Sequence, residues 1–448
     1  MAALLAEIRA SVRLATPIVL AQLAMMGSRV ADTIMAGRLS AADLAAVASG
    51  ASYWMILGLL VIGLANGLSP IVAHQRGAGE ASDHIGRYLQ QCLWVAVLVG
   101  LLLLVVMRVT AAPLMQRLGL SQAGTEAATG YLRAVALGSP AFAVLLVLRF
   151  GADGMGETRP FLWVGIAGLI VNVLLNYVLM WGNWGAPRLG ALGCGYATAI
   201  ADTTMMVLFA LAYRGNVRLR ALNLFAAWVA PRWSTIRDWL IVGLPIAAML
   251  TFEAGFFGAT SLVMARFGDI PAAAHHVAIN YSAVCFMVPL GIAFAATVRV
   301  GHAMGRGDPE AAQRASWTGV GLSLLFACLS ATLMLLAPDV IVRLYTDSEQ
   351  VAPLAVRLLF WAALFQLFDC LQASAAGALR GYKDTSWPMV ITLVAYWAVG
   401  MPLGTVLAFR FEFGPNALWW GIIAGLGSAG VLLAWRLAHR ARRYKQMS

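Results

Sequence analysis

The sequence predicts an all-α integral membrane protein, with twelve transmembrane helices in two six-helix bundles related by an internal parallel repeat. Three observations carry this. Hydrophobic residues make up 61% of the 448 and charged residues 11%, whereas about a quarter of a soluble chain is charged. The apolar residues gather into runs of about 20 or more, the length a helix needs to cross a hydrocarbon core of roughly 30 Å. These runs are apolar all round instead of alternating over about ten residues, which selects helices over the strands of a membrane barrel. Finally, the two halves of the chain can be laid on each other.

In chain order the first run, about 14–37, places Arg29 and Asp32 inside a spanning helix. It is longer than the apolar part of a secretory signal and no small-residue cleavage site follows, so it is expected to stay as helix one. The next runs, about 45–72, 89–110 and 127–150, carry no internal acid, and the last of them contains Pro140. The fifth, about 160–182, holds Asn172 and Asn176 at an i, i+4 spacing that lets both amides converge on one point. The sixth, about 190–213, holds Thr198 and Asp202. A basic connection at 214–238, with Arg214, Arg218, Arg220, Arg232 and Arg237, leads to the seventh run, about 240–265, with Glu253.

The eighth run, about 275–300, contains Pro289. The ninth, about 314–337, follows Gly307-Asp308-Pro309-Glu310, where glycine permits a turn, Asp308 can cap the helix and proline suits its first turn. The tenth, about 352–378, holds Phe365 and Asp369. The last two are about 388–410, with Pro402, and 416–437. Prolines inside spans are tolerated where neighbours satisfy the freed carbonyls.

Displacing the chain by 228 residues lays Pro17 on Pro245 and His74-x-x-Gly77-x-Gly79-Glu80 on His302-x-x-Gly305-x-Gly307-Asp308. With slight slippage, Gly154-Met-Gly-Glu157-Thr158-Arg-Pro160 matches the stretch from Gly377 to Asp384-Thr385-Ser-Trp-Pro388. Six helices per half return the chain to its starting side, so the copies are parallel. The expected lobes are 1–225 and 226–448.

About 21 of the 31 Lys and Arg fall on one side of this topology and about 10 on the other. By the positive-inside rule both termini lie in the cytoplasm. The net charge of +11 is thus spread over many loops without aromatic interleaving, which speaks against a nucleic-acid partner. The two lysines are followed by Asp384 and Gln446, so no phosphate-binding G-x-x-x-x-G-K-[ST] loop exists. The five cysteines stand singly, without redox or metal-ligand spacing. A membrane enzyme would need convergent catalytic groups, and none is evident.

An acid at the bilayer centre costs roughly 2.5–3.5 kcal/mol on insertion scales, so intramembrane acids are functional candidates by default. Asp32, Asp202, Glu253 and Asp369 are the four. Arg29, three residues before Asp32 on one helix face, offers a competing role for Asp32 as half of an ion pair. Under the repeat Asp32 falls on Thr260 and Glu253 on Met25, so the two lobes carry different polar sites on one scaffold.

The stretches Val30-Ala-Asp32-Thr33-Ile-Met-Ala-Gly37, Phe252-Glu253, Asp369 with Gly377-Ala-Leu-Arg-Gly-Tyr-Lys-Asp384, Val171-Asn172-Val-Leu-Leu-Asn176-Tyr177 and Leu192-Gly-Cys-Gly-Tyr-Ala-Thr198 resemble the multidrug and toxic compound extrusion (MATE) transporters, in their bacterial NorM-like branch. The resemblance covers nearly the whole chain. It implies a monomeric antiporter of the bacterial inner membrane that exports bulky, often cationic or aromatic compounds against inward Na⁺ or H⁺, with no cofactor. It assigns Glu253 and Asp369 to a cation site in the C-terminal lobe, as Na⁺ ligands if Na⁺ is the coupling ion. It assigns Asp32, Asn172, Asn176 and Thr198 to an N-terminal site. Relatives often carry a tyrosine where this chain has Phe365, which removes a hydroxyl ligand, and Asp202 lies outside the family pattern. A buried carboxylate that both a proton and a cation can claim allows exchange by competition, and rocking of the bundles makes exchange vectorial. The related flippases of lipid-linked saccharides share the two-bundle plan. They are expected to show several arginines in the cavity, whereas Arg29 is the one basic residue this reading places well inside a span.

Overall fold

The computed structural model describes residues 2–226 and 228–447. All twelve expected runs are helical. The helices are α1 (Ala2–Gly37), α2 (Ala41–Asn66), α3 (Leu68–Gly77), α4 (Ser82–Gln116), α5 (Gln122–Val135), α6 (Ser139–Gly154), α7 (Arg159–Trp181), α8 (Ala191–Gly215) and the short α9 (Val217–Arg220). They continue with α10 (Trp233–Ala265), α11 (Asp269–Gly305), α12 (Pro309–Leu336), the short α13 (Pro338–Arg343), α14 (Ala352–Gly381), α15 (Ser386–Leu393), α16 (Met401–Phe409) and α17 (Asn416–Met447). Three runs are built from two helices each: α2 with α3, α5 with α6, and α15 with α16. Eleven spans among the described residues are long and apolar enough to cross a membrane. The 36-residue α1, which carries Arg29 and Asp32, is the remaining run.

Helices outrun the apolar stretches because polar termini remain helical beyond the hydrocarbon. At α12, Asp308 Oδ1 accepts the Ala311 N–H at 2.8 Å and Pro309 occupies the first turn, the cap and helix start expected from sequence. In the last run the residues between α15 and α16, Val394–Gly400, form a π-helix, and the Met401 N–H reaches Tyr396 O. Pro402 follows at once; it has no N–H to donate and its ring crowds an α-helical turn. Widening the preceding turn accommodates it.

The chain divides into two compact units, one of residues 20–72 and 80–247, the other of 1–19, 73–79 and 248–448. This differs from a cut near 225 for a specific reason. The connection and the first half of α10 are bonded to the N-terminal helices: Gln90 Nε2 donates to Leu224 O at 2.8 Å, and Trp239 Nε1 donates to Leu64 O at 2.7 Å. Conversely, Glu7 on α1 takes a two-pronged hydrogen bond from Arg299 on α11, at 2.8 and 2.6 Å.

The repeat is visible in backbone geometry. Gly79 and Gly307 share a left-handed φ, +73° and +70°, each closing the turn after its H-x-x-G. Their partners Gly77 and Gly305 lie against the His302 and His74 carbonyls, with no room for a Cβ. The second pair of motifs aligns at the turn: Glu157 N–H bonds Ala152 O at 2.9 Å and Asp384 N–H bonds Leu379 O at 3.0 Å, each after a left-handed residue, Gly156 or Lys383.

Candidate functional site

In the N-terminal unit Asp32 is 8% exposed. Asn176 Nδ2 donates to Asp32 Oδ1 at 2.5 Å and lies 3.3 Å from Asn172 Oδ1, so the two amides spaced along α7 do meet at the carboxylate of α1. Cys194 of α8 also borders it. Asn176 Oδ1 has no hydrogen-bond partner among the described residues. Thr198, on α8, is turned to its own helix and donates to Cys194 O at 3.1 Å. Asp202, a turn further along, is buried, and the charges acting on it are those of Asp32 and Arg29. Arg29 is exposed, with Nη1 at 3.4 Å from Met55 Sδ, and the described residues include no Arg29–Asp32 ion pair within 4.0 Å. Of the two roles open to Asp32, the geometry favours the amide-bonded acid over half of a salt bridge.

In the other unit, Glu253 on α10 and Asp369 on α14 belong to one charged cluster with Arg380. Asp369 is 4% exposed and its Oδ1 has no hydrogen-bond partner among the described residues. Gln366 and Gln372 lie three residues to either side of it, on the same face of α14, and both are buried. Gln366 Oε1, Gln372 Oε1 and the Tyr396 hydroxyl likewise have no hydrogen-bond partner among the described residues, and the Gln372 amide borders Glu253. Tyr396 comes from the π-helical stretch, its ring stacked on Phe256 at 5.2 Å, and Glu253 and Asp369 are the acids that act on it. Phe365, 2% exposed, packs edge-on against Phe257 and Trp419 at 5.9 and 6.0 Å, which is core packing. No group of three or more His, Cys, Asp or Glu side chains that could hold a metal ion occurs among the described residues. Oxygen donors here come instead from two carboxylates, glutamine amides and a phenol.

A family model, MatE, matches the chain twice, over residues 17–178 and 245–406. The second match starts and ends 228 residues after the first, the displacement that aligns the two halves of the sequence. The multidrug resistance protein PmpM of Pseudomonas aeruginosa is 40% identical over 446 residues, covering 98% of this chain and 93% of that one. The multidrug resistance protein NorM of Aliivibrio fischeri is 38% identical, covering 96% and 94%. This chain belongs to the MatE family, in its bacterial NorM-like branch. Among solved structures, a MATE in the bent conformation superposes with a TM-score of 0.90 at 18% identity, covering 98% of this chain and 97% of that one. The eukaryotic MATE transporter AtDTX14 gives 0.88 at 20% identity over 99% of both chains.

In this MatE chain the expectation that Arg29 alone is basic inside a span needs correcting. Arg149 of α6 and Arg380 of α14 are each 4% exposed. Arg149 sits at the end of the expected run 127–150, five residues before α6 ends, and Arg380 lies in the three residues by which α14 outruns the run 352–378. Arg149 lies 3.6 Å from Asp153 and over the Phe161 ring at 3.6 Å, while Arg380 lies 5.7 Å from the Phe294 ring. Arginine counting therefore does not separate MatE proteins from flippases here; the family match does. Gln366 and Gln372 were legible as polar residues on the Asp369 face. Tyr396 carried no sequence signal beyond its nearness to Pro402.

Proposed function

We propose that this chain exports bulky, often cationic or aromatic compounds out of a bacterial cell by cation-coupled antiport, alternating access between the two sides of the inner membrane. Family membership supports export of drugs, since its relatives are named multidrug resistance proteins. The observation that carries the coupling is the cluster around Asp369, where buried oxygens of Asp369, Gln366, Gln372 and Tyr396 have no hydrogen-bond partner among the described residues. Each unsatisfied buried polar group costs about 1–3 kcal/mol, so the cluster is stabilised by whatever cation it receives. Na⁺ would be held by carboxylate, amide and phenol oxygens, Tyr396 supplying the hydroxyl that Phe365 lacks; H⁺ would be held on Glu253 or Asp369. A cationic substrate competes for the same carboxylates, and competition gives exchange. Asp32 with Asn172 and Asn176 forms a second such site in the N-terminal lobe, with Thr198 and Asp202 beside it. The lobes, 1–225 and 226–448, rock about these sites as a monomer.

The test is efflux of a fluorescent cationic dye from cells and inverted vesicles, with Na⁺ and pH gradients imposed separately. One gradient should drive efflux and its collapse should stop it. Dye movement indifferent to both would sink antiport.

A further inference from the structure

Each unit carries an apolar groove, and the two occupy matching places in the repeat. One, of about 640 Å³, is lined in part by Gly321, Leu322 and Leu325 of α12. The other, of about 730 Å³, is lined in part by Leu93, Trp94 and Val97 of α4, the residues 228 positions earlier. The pairing of their charges differs. In the α12 groove Glu310 pairs with Arg314 at 3.8 Å and with Lys445 at 3.1 Å, so both cations there have a carboxylate partner. Among the described residues lining the α4 groove, Arg214 is the charged one and none is a carboxylate. The Arg214 guanidinium rests 5.6 Å from the Phe225 ring and forms no ion pair within 4.0 Å among the described residues.

The α4 groove is also fixed in shape. The segment after α9 is bonded along α4 to form its lip: Gln90 Nε2 donates to Leu224 O at 2.8 Å, Trp94 Nε1 to Val229 O at 3.2 Å, and Arg232 N–H to Gln91 Oε1 at 2.9 Å. Trp228 meets Trp94 edge-on at 5.5 Å. Its opposite wall is a stripe of α8, where Val207, Leu211 and Arg214 recur at i, i+4 and i+7, running from apolar to cationic over about 10 Å. Tryptophans of this kind mark the level of lipid headgroups.

We propose that this groove binds an anionic phospholipid, one acyl chain lying along Val97, Val207 and Leu211 and the phosphate on Arg214. Guanidinium suits phosphate because it offers a planar fork of donors. A neutral lipid would leave Arg214 without a counter-charge, and free phosphate would leave the apolar trough unfilled. The site is independent of what the protein exports, so its test needs no transport.

Purified protein in mild detergent is titrated with dioleoyl phosphatidylglycerol, with dioleoyl phosphatidylcholine and with inorganic phosphate, bound molecules being counted by native mass spectrometry and folding checked by melting. Phosphatidylglycerol should bind in preference to phosphatidylcholine. Arg214→Gln should cut that preference about fivefold, the contribution of one basic residue at an anionic surface. Val207→Trp, made at a position 45% exposed, keeps Arg214 and fills the trough, so it should weaken both lipids. Arg314→Gln, in the groove where Glu310 already partners the cations, should leave the preference as it was. Equal binding of the two lipids by wild type, an unchanged preference in Arg214→Gln, unchanged binding in Val207→Trp, or inorganic phosphate stabilising the protein as well as phosphatidylglycerol would each overturn the proposal. If Arg214→Gln fails to fold, Val207→Trp decides alone.

Discussion

Asp369 has a buried oxygen with no hydrogen-bond partner among the described residues, whereas Asp32 is held by Asn176, and this difference separates the expected outcomes at the two sites. Asp369→Asn and Glu253→Gln should each reduce gradient-driven dye efflux to the level of cells lacking the protein while the variants still melt cooperatively; wild-type efflux in both would remove the C-terminal site. At the other site, Asp32→Asn keeps a group that can hydrogen-bond the amides, and an amide costs less to bury than a charge. It should therefore keep its melting temperature and lose pH-driven efflux. Arg29→Ala, at an exposed side chain near Met55 with no ion pair among the described residues, should shift stability by no more than about 0.5 kcal/mol. A stability loss in Asp32→Asn that Arg29→Ala restores would reinstate the ion pair. Residues of this kind were legible where an acid broke an apolar run, or where Asn172 and Asn176 shared one face. Tyr396 and Arg380 were not, because a tyrosine is ordinary in a span and an arginine near a helix end reads as loop until burial is known.

The matched turns after α6 and α14 use one device at two strengths. Asp384, with its side chain 3% exposed, holds Arg436 and Arg440, each at 2.8 Å. Glu157, with its side chain 14% exposed, holds an Arg218 that is 67% exposed. Asp384→Asn should destabilise by on the order of 3 kcal/mol, because it strands two arginines of α17 around one buried partner. Glu157→Gln should cost about 1 kcal/mol or less, the range of solvated pairs. Chemical denaturation in detergent would rank them, and equal losses would contradict the argument from burial. The helices themselves were legible because hydropathy marks the hydrocarbon, but their ends were not, since caps such as Asp308 and turns such as Lys383 extend helix beyond it. The π-helix was illegible for a related reason: Pro402 signalled a disturbance, but not which neighbouring turn would widen. Deleting Ala398 should restore an α-helical register and swing Tyr396 relative to Pro402 by about one residue, roughly 100°. Efflux should fall while the protein remains inserted; full efflux would show that the widened turn serves packing alone.

Two copies of a six-helix plan, 228 residues apart, bind the whole molecule to one topological choice. An even number of crossings puts equivalent positions of both copies on the same side of the membrane, and an odd number would put them on opposite sides. The exchange of residues 1–19 and the first half of α10 between the compact units obscures this plan at the level of contacts, which is why a cut by sequence repeat and a cut by packing differ. Topology, however, depends on crossings and not on contacts. Ser82 opens α4 and Arg314 lies in the second turn of α12, so both stand at the same end of repeat-equivalent helices. By the positive-inside rule, the bias of about 21 basic residues to 10 is the ground for expecting that end in the cytoplasm. In a background lacking Cys92, Cys194, Cys285, Cys328 and Cys370, a cysteine at either position should react with a membrane-impermeant maleimide in inverted vesicles and stay unlabelled in intact cells. Labelling of both from outside would invert the molecule but keep the parallel repeat. Labelling of one from each side would break the parallel repeat itself, and with it the proposal that two lobes of like orientation rock during export.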